Sequence, residues 1–150
     1  MPDPQRPPLR QMLRAVSVPA LVAVSLGGAI GALARYGLTV AFPTSPGSFD
    51  LATFIANTVG GLLIGALMVV VTEVAPGLRM IRPFFGVGIL GGFTTFSTYI
   101  VDIGHAANAG TTLLAVVYAF ATMAAALLAA ALGMYATRRA VARSRGSEAA

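Results

Sequence analysis

Residues 86–99 read GVGILGGFTTFSTY, and this stretch decides the fold. It lies inside an apolar run from about Phe84 to Gly104, long enough to cross a bilayer, for which about 20 residues are needed. Two adjacent glycines followed by hydroxyl-bearing and aromatic residues are poor material for a continuous α-helix. The sequence therefore predicts a membrane-spanning helix that is broken near mid-membrane.

A helix break inside a membrane is tolerated only where protein or water satisfies the freed backbone groups. Free carbonyl groups there coordinate cations, and free N–H groups attract anions. Phe96 and Tyr99 share a helix face, and aromatic ring edges are electropositive. With the hydroxyls of Thr95, Ser97 or Thr98, these edges can line a path for a small anion. Alternatively, the hydroxyls bond back to the helix and the aromatic rings serve in packing.

The composition agrees with a membrane protein. Of 150 residues, 57% are hydrophobic and only 10% are charged, whereas soluble domains carry about 25% charged residues. These values exclude a soluble enzyme domain, a disordered chain and a nucleic-acid-binding module. The chain has no cysteine and one histidine, so cysteine-based and multi-histidine metal sites are excluded.

Three further apolar stretches accompany the first, so we expect an all-α protein with four transmembrane helices. The predicted spans are about 16–40, 51–71, 84–104 and 111–136, within one four-span membrane domain of residues 16–137. Ala32-Leu33-Ala34 has the form of a signal-peptide cleavage site, but the apolar run is too long and three spans follow it. Residues 1–15 are predicted to form a disordered basic tail, and residues 138–150 a second basic tail.

The arginines predict the orientation. Nine of the ten lie in the two tails and the 73–83 turn, and the tenth is Arg35. Because cationic loops stay in the cytoplasm, we expect both termini of this multi-pass cell-membrane protein to be cytoplasmic.

Several polar residues within the spans need an explanation, because polar groups there are costly. Gly27, Gly31 and Arg35 share one helix face, and Arg35 serves either as an interfacial anchor or as a cation that attracts an anion. Asn57 either forms an interhelical hydrogen bond or donates from its amide into a pore. Asp102 and His105 are expected in a solvated outer loop, with a proton relay as the alternative.

Three motifs then occur in order: GGAIGALARY at 27–36, NTVGG at 57–61 and GGFTTFST at 91–98. This combination resembles the CrcB/Fluc family of fluoride channels, and the likeness covers about residues 20–136. The resemblance implies a passive, fluoride-selective channel built as an antiparallel dimer with two pores. Such a channel lets fluoride leave the cytoplasm and so reduces its toxicity.

The resemblance also implies roles for individual residues. Gly91 and Thr94 would give backbone carbonyls to a structural sodium ion that is shared at the dimer centre and is not transported. Arg35 would lie in the vestibule. The candidate fluoride-pore residues are Asn57, Thr95, Phe96, Ser97, Thr98, Tyr99, Tyr118 and Thr122.

The sequence departs from the family pattern at three positions. Tyr99 replaces the usual second phenylalanine, and its hydroxyl is expected to add bulk and a polar group inside the pore. Ile100 replaces a usual serine, and Ala126 ends the polar track of span four early.

The arginine distribution bears on the partner. An antiparallel homodimer needs one sequence to insert in both orientations, which requires nearly balanced arginines. Because nine arginines lie on one side of the membrane and only one on the other, we expect the second subunit to be an oppositely oriented paralogue rather than a second copy.

The sequence leaves two alternative functions open. They are a small proton-coupled multidrug exporter, which needs an intramembrane carboxylate, and a non-transporting scaffold subunit. Neither an enzyme nor a nucleic-acid-binding protein is expected.

Overall fold

The computed structural model describes residues 17–45 and 47–148. Within these residues the fold is all-helical, and four helices are long and apolar enough to cross a membrane. They cover Val18–Ala41, Leu51–Val74, Arg82–Asn108 and Thr112–Arg145. The predicted all-α architecture with four spans is confirmed.

Five helices make up these four spans. They are α1 (Val18–Ala41), α2 (Leu51–Val69, continued by a π-helical turn at Val70–Val74), α3 (π-helical over Arg82–Leu90, then α-helical over Gly91–Phe93), α4 (Ser97–Asn108) and α5 (Thr112–Glu148).

Side-chain caps fix the beginnings of α1 and α2. The Ser17 hydroxyl accepts from the backbone N–H of Ala20. Pro19 occupies the first turn, where a backbone N–H would have no acceptor within the helix, so its missing N–H costs no hydrogen bond. The Asp50 carboxylate accepts from the backbone N–H of Ala52 at 3.0 Å. Each cap satisfies an N–H group that the helix itself leaves unpaired.

The backbone between α3 and α4 is not helical. Thr94 has φ −79° and ψ 156°, an extended conformation, and the helix resumes at Ser97. Gly91 and Gly92 are themselves helical, so the chain leaves the helix at the threonine pair that follows them. Threonine hydroxyls compete for backbone hydrogen bonds, which favours an exit at this point.

The α1 and α3 helices touch through their backbones. Gly27 and Gly31 are buried, and a methyl group at either position would collide with the backbone of α3 near Gly88 and Ile89. Gly92 meets the α1 backbone in the same way. The small-residue face predicted for span one is therefore confirmed.

The α2 and α5 helices pack equally closely. Gly61 lies against the carbonyl of Ala126, and Gly65 lies against that of Ala130. From the other side, Gly133 meets the backbone of α2. Small residues at such contacts bring the helices together without a hydrophobic driving force, as is common in membranes.

The α5 helix continues through Arg138 to Glu148, so residues predicted as a second tail are helical to that point. Arg138 forms an exposed ion pair with Glu73, with 2.8 Å between Nη2 and Oε1. This contact joins the last part of α5 to the end of α2, although an exposed, solvent-screened ion pair adds little to stability. The predicted tail of residues 1–15 lies outside the described residues.

The close α2–α5 packing yields a stability prediction. Gly65→Ala should destabilise the protein by about 1–3 kcal/mol, because the added methyl meets the Ala130 carbonyl in a packed contact. Gly37→Ala is the matched control, since no atom lies within 4 Å of its added methyl and alanine favours helix. Thermal unfolding in one detergent compares the two, and equal melting temperatures would contradict the packing.

Candidate functional site

A groove lies where α2, the interrupted span and α5 meet. Its volume is about 420 Å³. Seven of the residues predicted for the site line it: Asn57, Gly91, Thr94, Thr95, Phe96, Tyr99 and Thr122. The predicted residues Arg35, Ser97, Thr98 and Tyr118 lie outside its lining. Apolar side chains such as Ile64, Met123 and Leu127 complete the groove, and no polar pattern in the sequence marked them.

Asn57 holds the interrupted segment by a pair of hydrogen bonds to one residue. Its Nδ2 donates to the Thr95 carbonyl at 2.9 Å, and its Oδ1 accepts from the Thr95 N–H at 2.9 Å. Only an amide side chain supplies both a donor and an acceptor in this way. The interhelical hydrogen bond considered for Asn57 is thus present, and its second N–H remains available.

Arg35 binds the same segment from α1. Its Nε donates to the carbonyl of Gly92 at 3.2 Å. Gly92 is the second-last residue of α3 and lies two residues before the extended Thr94, so Arg35 contacts the chain next to the interruption. A cation near the carbonyl end of α3 is electrostatically favourable.

Hydroxyl groups cap the start of α4. The Thr95 hydroxyl accepts from the N–H of Thr98 at 3.2 Å and donates to the Thr98 hydroxyl at 3.1 Å. The Ser97 hydroxyl oxygen lies 3.3 Å from the Thr95 hydroxyl oxygen. Ser97 and Thr98 therefore organise the helix start beside the groove.

These contacts leave two carbonyl groups unpaired. In a continuous helix the Thr95 N–H would bond to the Gly91 carbonyl, but it bonds to Asn57 instead. Likewise, the Thr98 N–H bonds to the Thr95 hydroxyl and not to the Thr94 carbonyl. Among the described residues, no group donates to either carbonyl oxygen. Both belong to groove-lining residues, where they can bind a cation.

The two aromatic residues of the groove differ in exposure. Phe96 is 71% exposed, whereas Tyr99 is 6% exposed, and their ring centroids are 5.8 Å apart. The Tyr99 hydroxyl donates to the carbonyl of Ala119 on α5 at 2.6 Å. Its polar tip therefore points at the α5 backbone, contrary to the expectation that it projects into the pore.

Two threonines, Thr58 and Thr122, carry buried hydroxyl oxygens without a partner among the described residues. Thr122 is 2% exposed and lines the groove, but Thr58 does not. A buried hydroxyl left unpaired costs about 1–3 kcal/mol, so the Thr122 hydroxyl is poised to bond to a ligand in the groove.

A cluster that the sequence did not predict lies at the end of the bundle where α1 connects to α2. Asp50, which caps α2, is 6% exposed and accepts from the Thr44 hydroxyl at 2.8 Å. Asp102 accepts from the Tyr118 hydroxyl at 3.3 Å. Asp102 is therefore part of α4 and faces α5, not a solvated loop, whereas His105 is exposed. Residues 102 and 118 lie on different helices, so spacing along the sequence does not indicate their contact.

Comparison with known proteins identifies the family. The family model described as "CrcB-like protein, Camphor Resistance (CrcB)" matches residues 22–134, which include the whole groove. The chain belongs to the CrcB family. A second member, fluoride-specific ion channel FluC 1 of Streptomyces coelicolor, is 49% identical over 121 residues, covering 81% of this chain and 79% of that protein.

Two further CrcB relatives come from one organism, Streptomyces avermitilis. Fluoride-specific ion channel FluC 2 is 50% identical over 105 residues, which cover 70% of this chain and 66% of that protein. Fluoride-specific ion channel FluC 3 is 44% identical over 123 residues, which cover 82% of this chain and 60% of that protein. The chain thus spans about two thirds or less of their lengths. The family consists of ion channels and not enzymes.

The paired hydrogen bonds of Asn57 yield a prediction. Asn57→Asp should destabilise the protein by about 1–3 kcal/mol, because a carboxylate cannot donate to the Thr95 carbonyl and leaves it unpaired. Hydrogen exchange at the amides of residues 95–98 should accelerate in this variant. Asn108→Asp, the same change at an exposed position, serves as the control. Unchanged exchange in Asn57→Asp would contradict the role of the side chain.

Proposed function

We propose that this protein is a passive, fluoride-selective channel that exports fluoride from the cytoplasm and so reduces its toxicity. The observation that carries the proposal is the groove, in which a buried hydroxyl without a partner lies near electropositive ring edges and a free amide N–H. Donors of this kind suit a small, strongly hydrogen-bonding anion. Relatives of about 50% identity carry the name fluoride-specific ion channel, which supports this choice of anion.

Three groups in the groove are the proposed fluoride ligands. Thr122 contributes its unpaired hydroxyl, and Asn57 contributes the amide N–H that Thr95 does not use. The ring edges of Phe96 and Tyr99 complete the path, since the positive edge of an aromatic ring attracts an anion. Thr95, Ser97 and Thr98 support it through the hydroxyl contacts at the start of α4.

A structural sodium ion fits the interrupted helix. The Gly91 and Thr94 carbonyls have no donor among the described residues and belong to groove-lining positions, and hard cations prefer such oxygen ligands. Two carbonyls are fewer than a cation needs, so a partner subunit would supply the others. When bound, the ion would join the subunits and add fixed positive charge; it is not a transported ion.

The groove also supports a dimer. In a bilayer, the interruption at Thr94–Thr95 with its free carbonyls must be covered by protein or water, because lipid offers no donors. Phe96 projects from this face, 71% exposed, and suits insertion into a partner. We therefore propose that a second, antiparallel subunit covers the groove and that the interruption lies near mid-membrane.

The orientation proposal follows from the arginines. The described arginines other than Arg35 lie in the last part of α5, in the turn after α2 or at the start of α3, and the Glu73–Arg138 contact joins α2 to α5 at this end of the bundle. We infer that this end is cytoplasmic together with both termini. If this subunit inserts in one orientation only, an antiparallel dimer requires a partner subunit that inserts in the opposite orientation. The presence of FluC 2 and FluC 3 in one organism supports a paralogous partner.

The alternatives receive less support. A proton-coupled exporter requires a carboxylate within the transport path, but no aspartate or glutamate lines the groove. A scaffold role does not explain why the Thr122 hydroxyl and the Gly91 and Thr94 carbonyls have no partner among the described residues.

The channel function predicts selective fluoride efflux. The chain is coexpressed with an oppositely oriented paralogue, and both are reconstituted into liposomes. These liposomes should release fluoride but not chloride, as measured with ion-selective electrodes. Equal chloride release would contradict selectivity, and absence of fluoride release would contradict the function. Preparing the protein in sodium-free buffer and measuring dimer dissociation tests the structural ion separately.

The groove hydroxyl predicts a matched pair of variants. Thr122→Val should reduce fluoride flux roughly 10-fold or more, since a hydrogen bond to a charged group contributes about 1.5–3 kcal/mol. Thr58→Val removes an equally unpaired hydroxyl outside the groove lining and should leave flux unchanged. Similar flux in the two variants would contradict the assignment of Thr122.

The arginine imbalance predicts dependence on a partner. Liposomes with this chain alone should show little fluoride efflux, whereas a variant that keeps only Arg35 and Arg138, with the other eight arginines changed to glutamine, should gain efflux by inserting in both orientations. Arg138 is kept because it pairs with Glu73. Robust efflux from the unmodified chain alone would contradict the paralogue proposal and leave the channel function intact.

A further inference from the structure

Two carboxyl groups meet at the end of the bundle where α1 connects to α2, outside the groove. Asp50 is buried, and its Oδ1 accepts from the Thr44 hydroxyl at 2.8 Å and from the Ala52 N–H at 3.0 Å. Asp102 lies beside it on α4. A half-buried carboxyl group beside a buried, hydrogen-bonded one is a place where a proton can be held.

The two carboxyl groups are close enough to interact, and a hydrogen bond between them forms when one of them carries a proton. Burial acts to raise the pKa of Asp50, but hydrogen bonds from Thr53, Thr44 and Asp102 outweigh burial and hold this pKa below its usual value. Asp50 is therefore the member that stays ionised. A hydrogen bond between two carboxyl groups needs one proton, which Asp102 then provides, and the two groups titrate as a unit.

Asp102 is also connected to the groove. Its Oδ2 accepts from the hydroxyl of Tyr118, a residue only 2% exposed. The Tyr118 ring lies 5.6 Å from that of Tyr99, which lines the groove, and Thr122 follows one helical turn later on α5. Tyr118 thus lies between the acid pair and the proposed fluoride ligands.

The surroundings of Asp102 contain few other ionisable groups. Asp50 faces it from the segment before α2 and Tyr118 faces it from α5, while His105 on its own helix is exposed. Within residues 17–45 and 47–148, no arginine forms an ion pair with either carboxylate. The charge of the pair is therefore set by its own proton.

We propose that Asp102 is a positioning residue whose proton, shared with Asp50, controls whether the Tyr118 hydroxyl and the adjoining end of the pore accept fluoride. The inference rests on the proposed channel function. With the proton present, Asp102 is neutral and accepts only weakly from Tyr118. When the proton is lost, a full carboxylate binds the Tyr118 hydroxyl strongly, and a second negative charge repels the anion nearby.

The sign of the pH dependence follows. Fluoride current should rise as pH falls and the pair gains its proton, and it should fall as pH rises. Asp102→Asn copies the neutral acid, because its amide can donate to Asp50 and accept from Tyr118. This variant should therefore stay at the current that the wild type reaches at acidic pH.

The experiment measures fluoride current across planar bilayers that contain the chain together with an oppositely oriented paralogue, as pH is changed equally on both sides. Neutral hydrogen fluoride crosses lipid without carrying current, so it does not contribute. The wild type should change about 10-fold, the scale of one hydrogen bond to a charged group, whereas Asp102→Asn should be flat. Glu73→Gln, the same change at the exposed carboxylate paired with Arg138, should retain the wild-type profile.

Two outcomes would overturn the inference, and both are distinct from failure of the channel function. A pH profile in Asp102→Asn that matches the wild type, with fluoride current present, rejects the role of Asp102 and leaves the channel intact. If no fluoride current appears, infrared spectra decide. In the wild type, a carboxylic-acid band and a tyrosine band should titrate together. The carboxylic-acid band should disappear in Asp102→Asn, and the tyrosine band should disappear in Tyr118→Phe. Persistence of both bands would reject the coupled cluster.

Discussion

Every part of the site depends on one constraint, which is that backbone N–H and C=O groups in a bilayer must find partners within protein or water. The chain leaves the helical conformation at Thr94 and Thr95, which would strand several of these groups. Asn57 satisfies both groups of Thr95, and Arg35 satisfies the Gly92 carbonyl. The interruption is thus stabilised from α2 and from α1, and the Gly91 and Thr94 carbonyls, which have no donor among the described residues, belong to groove-lining residues.

Close helix packing makes these contacts possible. Asn57 and Arg35 reach the interruption only because α1 lies against α3 through glycines, while α2 lies against α5 in the same manner. Gly31 and Arg35 are one turn apart, so the residue that brings the backbones together positions the one that donates to Gly92. The glycine surplus of the sequence is therefore part of the site as well as of the fold.

Much of this architecture could be predicted from the sequence. Apolar runs of sufficient length predicted the four spans, and glycine spacing predicted the face of α1 that meets α3. The partners of Asn57 could not be predicted, because choosing between a pore donor and an interhelical hydrogen bond requires the position of Thr95 in space. The contact between Asp50 and Tyr118 by way of Asp102 was missed for the same reason. Sequence spacing orders residues along one helix but does not report which residues of distant helices meet.

Tyr99 shows how a substitution is accommodated by its surroundings. From the sequence, a tyrosine in place of the usual phenylalanine places a polar hydroxyl in the pore. In the structure, the hydroxyl donates to the Ala119 carbonyl on α5, so the ring keeps its place in the groove while its polar tip is satisfied elsewhere. Tyr118 does the same through Asp102. The two tyrosines differ in one respect, since a backbone carbonyl is a permanent acceptor but a carboxyl group changes strength with its proton. A change in the protonation of Asp102 therefore alters the hydrogen bond of Tyr118 and leaves that of Tyr99 in place.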